Sequence, residues 1–314
     1  SDSTGRPPNR GLTPEIVAPK GGGALSGMGE KFAADPVTGT GSMSVPIATS
    51  PGRSGFGPQL SINYNSGAAN GPFGFGWNLS LPVVSRKTEK GLPLYGAAQE
   101  PDIFMLSGAE DLVPVLLRVD NDWVREVLPP RTVYGQPYSI QRYRPRVEGL
   151  FARIERWVNT ADAADTFWRS ISKDNVTTWY GRTAQSRIAD PLDPRRIFSW
   201  LICESHDDKG NAVFYDYKPE DSAGVDLSQV SERNRSDLTR SAQRYVKRIR
   251  YGNRVPYLPD LTATAPPPPP VDWCFEVVFD YGEHDLLAPV PQETSQAWAC
   301  RPDPFSNYRA CFEI

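Results

Sequence analysis

The chain has 314 residues, of which 39% are hydrophobic and 23% charged, and its formal net charge is −3 at pH 7. This is the composition of an ordinary globular protein, and its net acidity argues against a basic nucleic-acid-binding domain. No apolar run approaches the roughly 20 residues that a membrane-spanning helix needs, so direct membrane insertion is not expected.

The first 20 residues are polar and rich in proline, and they show no hydrophobic periodicity. We expect residues 1–20 to form a flexible N-terminal arm ahead of a β domain over residues 21–314. The opening SDSTGRPPNRGLTPE has no apolar h-region, so no signal peptide is recognised. Export would therefore use a route that the sequence does not show, or the sequence begins after a removed leader.

Three short apolar–polar alternations lie between glycine and proline turns in the stretch that ends near residue 81. Their apolar positions are Met43, Val45 and Ile47, then Leu60, Ile62 and Tyr64, then Trp77, Leu79 and Leu81. A period of two with one apolar face is typical of a half-buried antiparallel strand. Three antiparallel strands are predicted here.

Further strands are predicted downstream, where Gly, Pro, Asn and Asp recur every few residues. They cover 167–172, 176–180, 197–204, 212–217, 245–251 and 273–281. The turn Asp207-Asp208-Lys209-Gly210-Asn211 predicts a hairpin with Gly210 in the left-handed conformation. The fold class predicted from these patterns is all-β, with many short antiparallel strands and little helix.

Two segments interrupt the pattern of strands. The helical signal over Ser222–Arg240 is weak, and it fits either a short helix or an exposed loop. The run Pro266–Pro270 cannot join a sheet, because proline lacks the backbone donor. The proline-rich stretch 256–271 is therefore a loop between neighbouring strands or a linker between two domains. We favour the loop, because the flanking segments both have strand patterns.

The residues that usually carry catalysis or bind metals occur here in unfavourable patterns. The two histidines, His206 and His284, each fall beside acidic residues in expected turns, without the spacing of a metal site. The acidic pairs Glu110-Asp111 and Asp207-Asp208 could serve a glycosidase only if the fold held two acids across a cleft. The glycines of the stretch 21–29 lack the pattern of a phosphate-binding loop. We expect no catalytic, cofactor-binding or metal-binding residues, and no cofactor.

The four cysteines, Cys203, Cys274, Cys300 and Cys311, match no paired metal or redox motif. We expect free thiols, although Cys300 and Cys311 are near enough in sequence for a disulfide to be tested.

A basic stretch runs from Arg233 to Arg254. Its members are Arg233, Arg235, Arg240, Arg244, Lys247, Arg248, Arg250 and Arg254, with Asp237 as the acidic residue among them. It could bind nucleic acid, form a solvated face, or contact another subunit. The net acidity of the chain disfavours nucleic acid.

Several long phrases together resemble the amino-terminal region of the SpvB / toxin-complex B-component family of bacterial virulence proteins. They are GGGALSGMGEKFAADPVTGTGSMSVPI, GFGPQLSINYNSGAANGPFGFGWNLSLP, PDIFMLSGAED, WYGRTAQSRIADP, WLICESHDDKGNAVFYDYK and RYVKRIRYGN. The resemblance runs from about Gly21 to the last residue. It implies an all-β piece of a larger assembly, a large curved sheet that is part of a hollow β-shell holding a toxic polypeptide.

The resemblance implies a non-catalytic structural part of a toxin, which helps to enclose and deliver a toxic domain encoded elsewhere. The implied partners are a C-type subunit with a repeat shell and an A-type pore-forming subunit, or a C-terminal effector domain of the same protein. Some family members carry an ADP-ribosyltransferase domain, which has no counterpart here. The protein would be made in the bacterial cytoplasm and secreted. The alternative is a β domain that binds or cleaves carbohydrate, which would display exposed aromatic side chains beside an acidic cleft.

The sequence stops in the middle of an alternation, at Cys311-Phe312-Glu313-Ile314. We expect a truncated C-terminus, with an unpaired strand edge near Phe312–Ile314 through which the chain would associate.

Overall fold

The computed structural model describes residues 31–34, 40–96, 101–107, 110–146, 152–285, 287–288, 290–294, 297–301 and 304–314. The expected arm over residues 1–20 and the glycine-rich stretch 21–29 lie outside the described residues. The described chain falls into two compact units. The smaller unit contains residues 31–49 and Gln59–Ser80, and the larger contains Ser50–Pro58 and the described residues from 81 onward.

The smaller unit is built on the three strands predicted from the first alternations. Its strands are β1 (Lys31–Ala34), β2 (Gly41–Ile47), β3 (Leu60–Asn65), β4 (Asn70–Gly71), β5 (Gly74–Phe75) and β6 (Trp77–Leu79). Four of them form an antiparallel sheet in the order β1-β2-β3-β6, while β4 and β5 pair with each other. Ile62 lies opposite Val45 on one side and Leu79 on the other, so the apolar residues share one face as predicted.

The larger unit contains the remaining strands. They are β7 (Val83–Arg86), β8 (Phe104–Leu106), β9 (Glu110–Pro114), β10 (Leu116–Val119), β11 (Asp122–Arg125), β12 (Val127–Val133), β13 (Gln136–Pro145), β14 (Ala152–Asn159), β15 (Thr166–Ser172), β16 (Thr177–Tyr180), β17 (Arg187–Asp190), β18 (Asp193–His206), β19 (Ala212–Pro219), β20 (Arg244–Asn253) and β21 (Trp273–Val278).

Eight of these strands close into an antiparallel barrel. Their order is β7-β8-β9-β13-β14-β15-β16-β18, and β18 pairs with both β16 and β7 to complete the ring. The long strand β18 makes both contacts, because Thr178 lies opposite Ser205 while Val84 lies opposite Trp200. Strands β19, β20 and β21 extend the sheet from β18. The predicted all-β antiparallel fold is confirmed.

The interior of the barrel is packed with aromatic side chains. Phe104 lies 4.9 Å from Trp168, 5.7 Å from Trp200 and 5.9 Å from Tyr143, measured between ring centroids. The guanidinium of Arg156 lies 5.1 Å from the Phe104 ring centre. An eight-stranded barrel is just wide enough for side chains to fill it, so this ring is a packed core and not a channel.

A second core lies on the outer face of the same strands. It contains Val133, Tyr138, Ile140, Trp157, Phe167, Trp179 and Cys203, with Leu128 and Leu261 packed against it. Trp157 follows Arg156 in β14, and successive side chains of a strand point to opposite faces. Strands β14 and β15 are therefore covered on both faces, which accounts for the burial of Trp157 and Trp168 and of charged residues such as Glu155.

The connections agree with several sequence predictions. Strands β15 and β16 form a hairpin in which Asn175 has a φ of +58°, and Gly210 has a φ of +83° in the turn before β19. The proline-rich segment 256–271 lies between β20 and β21, which pair with each other. Its Tyr257 is buried and donates its backbone N–H to the carbonyl of Gly210.

Two expectations about helix and strand length are refined. Between Ser222 and Arg240 the structure has the 3₁₀ turn Val230–Glu232 and the four-residue helix α1, Asp237–Arg240. Strand β21 ends at Val278, three residues before the predicted end. It ends early because the chain turns at Asp280, whose carboxylate accepts the backbone N–H groups of Gly282 and His284.

The expectation of an unpaired edge at Phe312–Ile314 is wrong. The backbone N–H and carbonyl of Ile314 both pair with Asn307, and Phe312 packs with Ala242 and Ala310. Only 8% of Phe312 is exposed. The sequence pattern could not show this, because Asn307 lies in an irregular segment without alternation.

Among the residues that the structure describes, no helix has the length and apolar character that crossing a membrane requires.

Candidate functional site

The basic stretch from Arg233 to Arg254 is largely neutralised by carboxylates of the same chain. Six of its eight basic residues form ion pairs: Arg235 with Glu220 and Glu313, Arg240 with Glu232, Lys247 with Glu283, Arg248 with Glu276, Arg250 with Asp216, and Arg254 with Asp272. Positive side chains that are paired in this way do not form the uncompensated basic surface that phosphate backbones require.

One cluster of these pairs surrounds the buried side chain of Arg240. Its side chain is 1% exposed, and its guanidinium donates to a carboxylate oxygen of Glu232 at 3.0 Å. Arg235 lies between Glu220 and Glu313, at 2.7 Å from an oxygen of each. These contacts join helix α1, the end of β19 and the C-terminal residues within the larger unit. The arginines here support the fold.

The described residues contain one group with the composition of a metal site, Glu283, His284 and Glu293. The ammonium of Lys247 in β20 lies 2.5 Å from Glu283 Oε1, 2.8 Å from His284 Nε2 and 3.7 Å from Glu293 Oε1. It also donates to the carbonyl of Phe279. Lys247 therefore places a cation among the three would-be ligands, which disfavours a metal ion there. The sequence alone did not bring these four residues together.

The buried carboxylate of Glu283 is held in its charged form. Burial by itself would raise its pKa, but the hydrogen bond from Lys247 and the backbone N–H of Tyr281 hold that pKa below its ordinary value. A carboxyl with a lowered folded-state pKa stabilises the protein above its unfolded pKa, and this contribution is lost as the pH falls.

We expect the acid unfolding of the chain to depend on Glu283. As the pH is lowered below 4.5, the ordinary pKa of glutamate, the free energy of unfolding should decrease more steeply in the native chain than in Glu283→Gln. Urea unfolding between pH 3 and pH 7, followed by tryptophan fluorescence, measures both slopes. Equal slopes would show that Glu283 does not couple folding to protonation.

The remaining candidates from the sequence have structural roles. His206 pairs through Nδ1 with Glu204 at 3.0 Å and packs against Tyr257. Asp207 accepts the backbone N–H groups of Lys209 and Asn211 and so fixes the β18–β19 turn. Asp111 pairs with Lys87 at 2.8 Å. The side chain of Glu110 lies outside what the structure describes.

The four cysteines are free thiols in the structure, and the disulfide raised for Cys300 and Cys311 does not form. Cys300 donates to the carbonyl of Gly224, whereas Cys311 lies against the carbonyl of Pro93. Burial raises the pKa of Cys203 to about 11, so this thiol is not activated.

The aromatic residues do not support the carbohydrate alternative. Trp157, Trp168, Trp179 and Trp200 are at most 2% exposed. A sugar-binding platform needs exposed rings, and these rings pack against one another and against arginine side chains.

Sequence reasoning predicted no strand between residues 82 and 166 and so missed β7 to β14, among them the exposed hairpin of β10 and β11. Its turn residues, Asp120 and Asn121, have φ values of +47° and +73°, as in the two-residue turns that favour hairpins. The signal was present as two apolar runs on either side of Asp120-Asn121. Trp123 in this hairpin is 66% exposed.

Residues 35–314 match the family described as Salmonella virulence plasmid 65kDa B protein (SpvB). Curated relatives include the mono(ADP-ribosyl)transferases SpvB of Salmonella typhimurium (strain 14028s / SGSC 2262) and Salmonella dublin, each 36% identical over 96% of this chain. The match covers 49% of each relative, so the chain spans about half their length.

Solved structures similar to this one include an effector domain and toxin-complex proteins. The N-terminal domain of effector protein SpvB from Salmonella typhimurium strain LT2 matches with a TM-score of 0.73 and 35% identity, over 86% of this chain and 82% of that chain. TcdB2-TccC3 matches with a TM-score of 0.75 and 33% identity, over 96% of this chain and 14% of that chain. The Photorhabdus luminescens Tc holotoxin pore also matches, with a TM-score of 0.75 and 32% identity, over 96% and 13%.

Proposed function

This chain belongs to the SpvB family, and we propose that it is a non-catalytic structural part of a bacterial toxin. In this proposal it forms part of a shell or adaptor that encloses and delivers a toxic domain encoded elsewhere. The observation that carries the proposal is the match to TcdB2-TccC3 over 96% of this chain at a TM-score of 0.75. The closed, aromatic-filled barrel suits this role, because a densely packed interior makes a wall element rigid.

The transferase activity named in the relatives is assigned, in this proposal, to a part of those proteins outside the match. The chain matches 49% of SpvB, and its fold matches the N-terminal domain of that effector. Two of the acidic residues near the histidines fit this assignment, because Glu283 pairs with Lys247 and Asp207 fixes a hairpin turn.

The partners proposed for the chain are those that the family resemblance implies, and the matches to TcdB2-TccC3 and the Tc holotoxin pore are consistent with them. These partners are a C-type subunit with a repeat shell and an A-type pore-forming subunit, or a C-terminal effector domain of the same protein. The protein would leave the bacterial cell by a route that the sequence does not show. Nucleic acid is not a proposed partner, since the basic stretch is paired internally.

A chimera tests the structural role directly. In TcdB2-TccC3, the segment that matches this chain is replaced by this chain, and the assembled particle is measured by size-exclusion chromatography with light scattering. The proposal predicts a particle with the mass and hydrodynamic radius of the parent, because similar backbones can occupy the same place in the shell. Aggregated or truncated particles, obtained beside a normal parent preparation, would contradict the proposed function.

A further inference from the structure

The hairpin of β10 and β11 stands apart from the sheet that forms the barrel. Within the described chain, its two strands pair with each other and with no third strand. Every residue of both strands is exposed. We call residues 116–125 the projecting hairpin. A two-stranded hairpin is at best marginally stable in water on its own, so a partner that covers it would add to its stability.

The projecting hairpin has apolar side chains on both faces. Leu117 lies opposite Val124 on one face, while Leu116 and Trp123 lie on the other. Their exposed fractions are 47% for Leu117, 42% for Val124, 44% for Leu116 and 66% for Trp123. A hairpin that is solvated on both faces would carry polar residues at these positions.

The apolar area that this hairpin exposes is large for so short a segment. With Val119, which is 48% exposed, these side chains expose on the order of 500 Å² of apolar surface, similar to the largest patch of a typical monomer. Patches of this size often mark interaction sites. Because the area is divided between two faces, a single flat surface could cover only about half of it.

The charged residues of the hairpin favour some kinds of partner surface over others. Its tip, Asp120-Asn121-Asp122, is acidic and exposed, which disfavours insertion of the tip into a membrane. Arg118 shares a face with Trp123 and donates to the neutral amide oxygen of Asn121, so its positive charge is not cancelled by that contact. Stacking this face on the same face of a second copy would bring the two Arg118 charges together. An acidic surface of a different protein is the better complement.

We propose that the projecting hairpin inserts into a cleft of a protein partner, with an apolar wall against Leu117 and Val124 and an acidic wall against Arg118 and Trp123. This inference rests on the proposed function, in which the partner is the remainder of the toxin shell. The two-walled cleft covers both apolar faces, and the acidic wall pairs with Arg118 while the hairpin tip remains in water.

The first test is the variant Leu117→Ser/Trp123→Ser/Val124→Ser, with Leu192→Ser as the matched control. Leu192 is 74% exposed and lies at the turn between β17 and β18. In the isolated chain, both variants should leave the Tm within about 2 °C of the native value, because exposed side chains contribute little to folding. In the chimera with TcdB2-TccC3, the hairpin variant should lower the yield of assembled particles at least about tenfold, and Leu192→Ser should not.

Arg118→Glu, compared with Arg118→Gln, tests the acidic wall in the same chimera. Charge reversal should lower assembly more than neutralisation, since it places like charges together. Normal assembly of the chimera with the triple variant would overturn the proposal and leave the proposed function standing. Failure of the chimera that keeps the native hairpin would overturn both.

Two further results would each contradict the protein cleft, because they would show that a second copy of the chain or a lipid surface covers the hairpin. One is self-association of the isolated chain that the triple variant abolishes, measured by sedimentation velocity. The other is binding to phosphatidylserine vesicles that the triple variant abolishes. The protein cleft is supported if the isolated chain is monomeric and does not bind the vesicles, and if the chimera with the triple variant assembles poorly.

Discussion

Replacing Trp168 with alanine is expected to lower the free energy of unfolding by about 3–5 kcal/mol. Trp168 is fully buried inside the barrel, and its ring lies 4.9 Å from both Phe104 and Tyr143. Removing the indole leaves a cavity bounded by strands of a closed ring, which cannot collapse by moving one strand alone. Chemical unfolding of the isolated chain, followed by far-ultraviolet circular dichroism, measures the loss.

The control for this substitution is Trp168→Phe. The indole Nε1 of Trp168 has no hydrogen-bond partner among the described residues, so phenylalanine removes volume without breaking a polar contact. We expect Trp168→Phe to cost clearly less than Trp168→Ala. If Trp168→Ala lowers the free energy of unfolding no more than Trp168→Phe does, packing of the Trp168 side chain does not stabilise the barrel.

Replacing Lys247 with methionine is expected to destabilise the larger unit by about 3–5 kcal/mol, because it leaves the buried carboxylate of Glu283 without its cation. Only 6% of the Lys247 side chain and 2% of the Glu283 side chain are exposed. Water therefore cannot solvate the carboxylate in place of the lysine. Urea unfolding at pH 7 measures the change in the free energy of unfolding.

Arg254, which directly follows β20, offers a control for Lys247, since the side chains of its ion pair with Asp272 are 63% and 60% exposed. Arg254→Met should cost at most about 1 kcal/mol, as exposed pairs do. The double variant Lys247→Met/Glu283→Gln should recover much of the stability that Lys247→Met loses, because no unpaired carboxylate remains. A double variant no more stable than Lys247→Met would show that the cost comes from packing and not from charge.

The β15–β16 and β18–β19 hairpins could be predicted from sequence because they are local. The alternation of Leu60, Ile62 and Tyr64 fixes which face is apolar, and Gly210 fixes the turn before β19. The pattern predicts which residues of β2 and β3 share a face, whereas the register that places Val45 opposite Ile62 comes from the structure.

The closure of the barrel could not be predicted in the same way. It depends on Val84 lying opposite Trp200, a pairing between residues that are far apart in sequence and that no turn specifies. Strands that are buried on both faces and carry charged residues at buried positions, such as the one containing Glu155, Arg156 and Trp157, also show no clear alternation. Both the closure of the barrel and these strands depend on contacts between residues that are distant in sequence.

The polar clusters were missed for a related reason. His284 was interpreted as a turn residue, and Lys247 as one of a basic series. Their proximity, at 2.8 Å between Nζ and Nε2, arises because the chain turns back on β20 after β21. The projecting hairpin, in contrast, was detectable from the sequence, since Asp120-Asn121 separates two runs of strand-forming residues.

The measurement that most directly tests the structural role is protection of the enclosed polypeptide in the chimera of this chain with TcdB2-TccC3. A graded proteinase K digestion compares the chimera and its parent, with the enclosed polypeptide followed by immunoblot. If this chain forms a sound part of the shell wall, that polypeptide should survive in the chimera at the protease doses that it survives in the parent. Its digestion in the chimera at doses that leave the parent intact would contradict the proposed function.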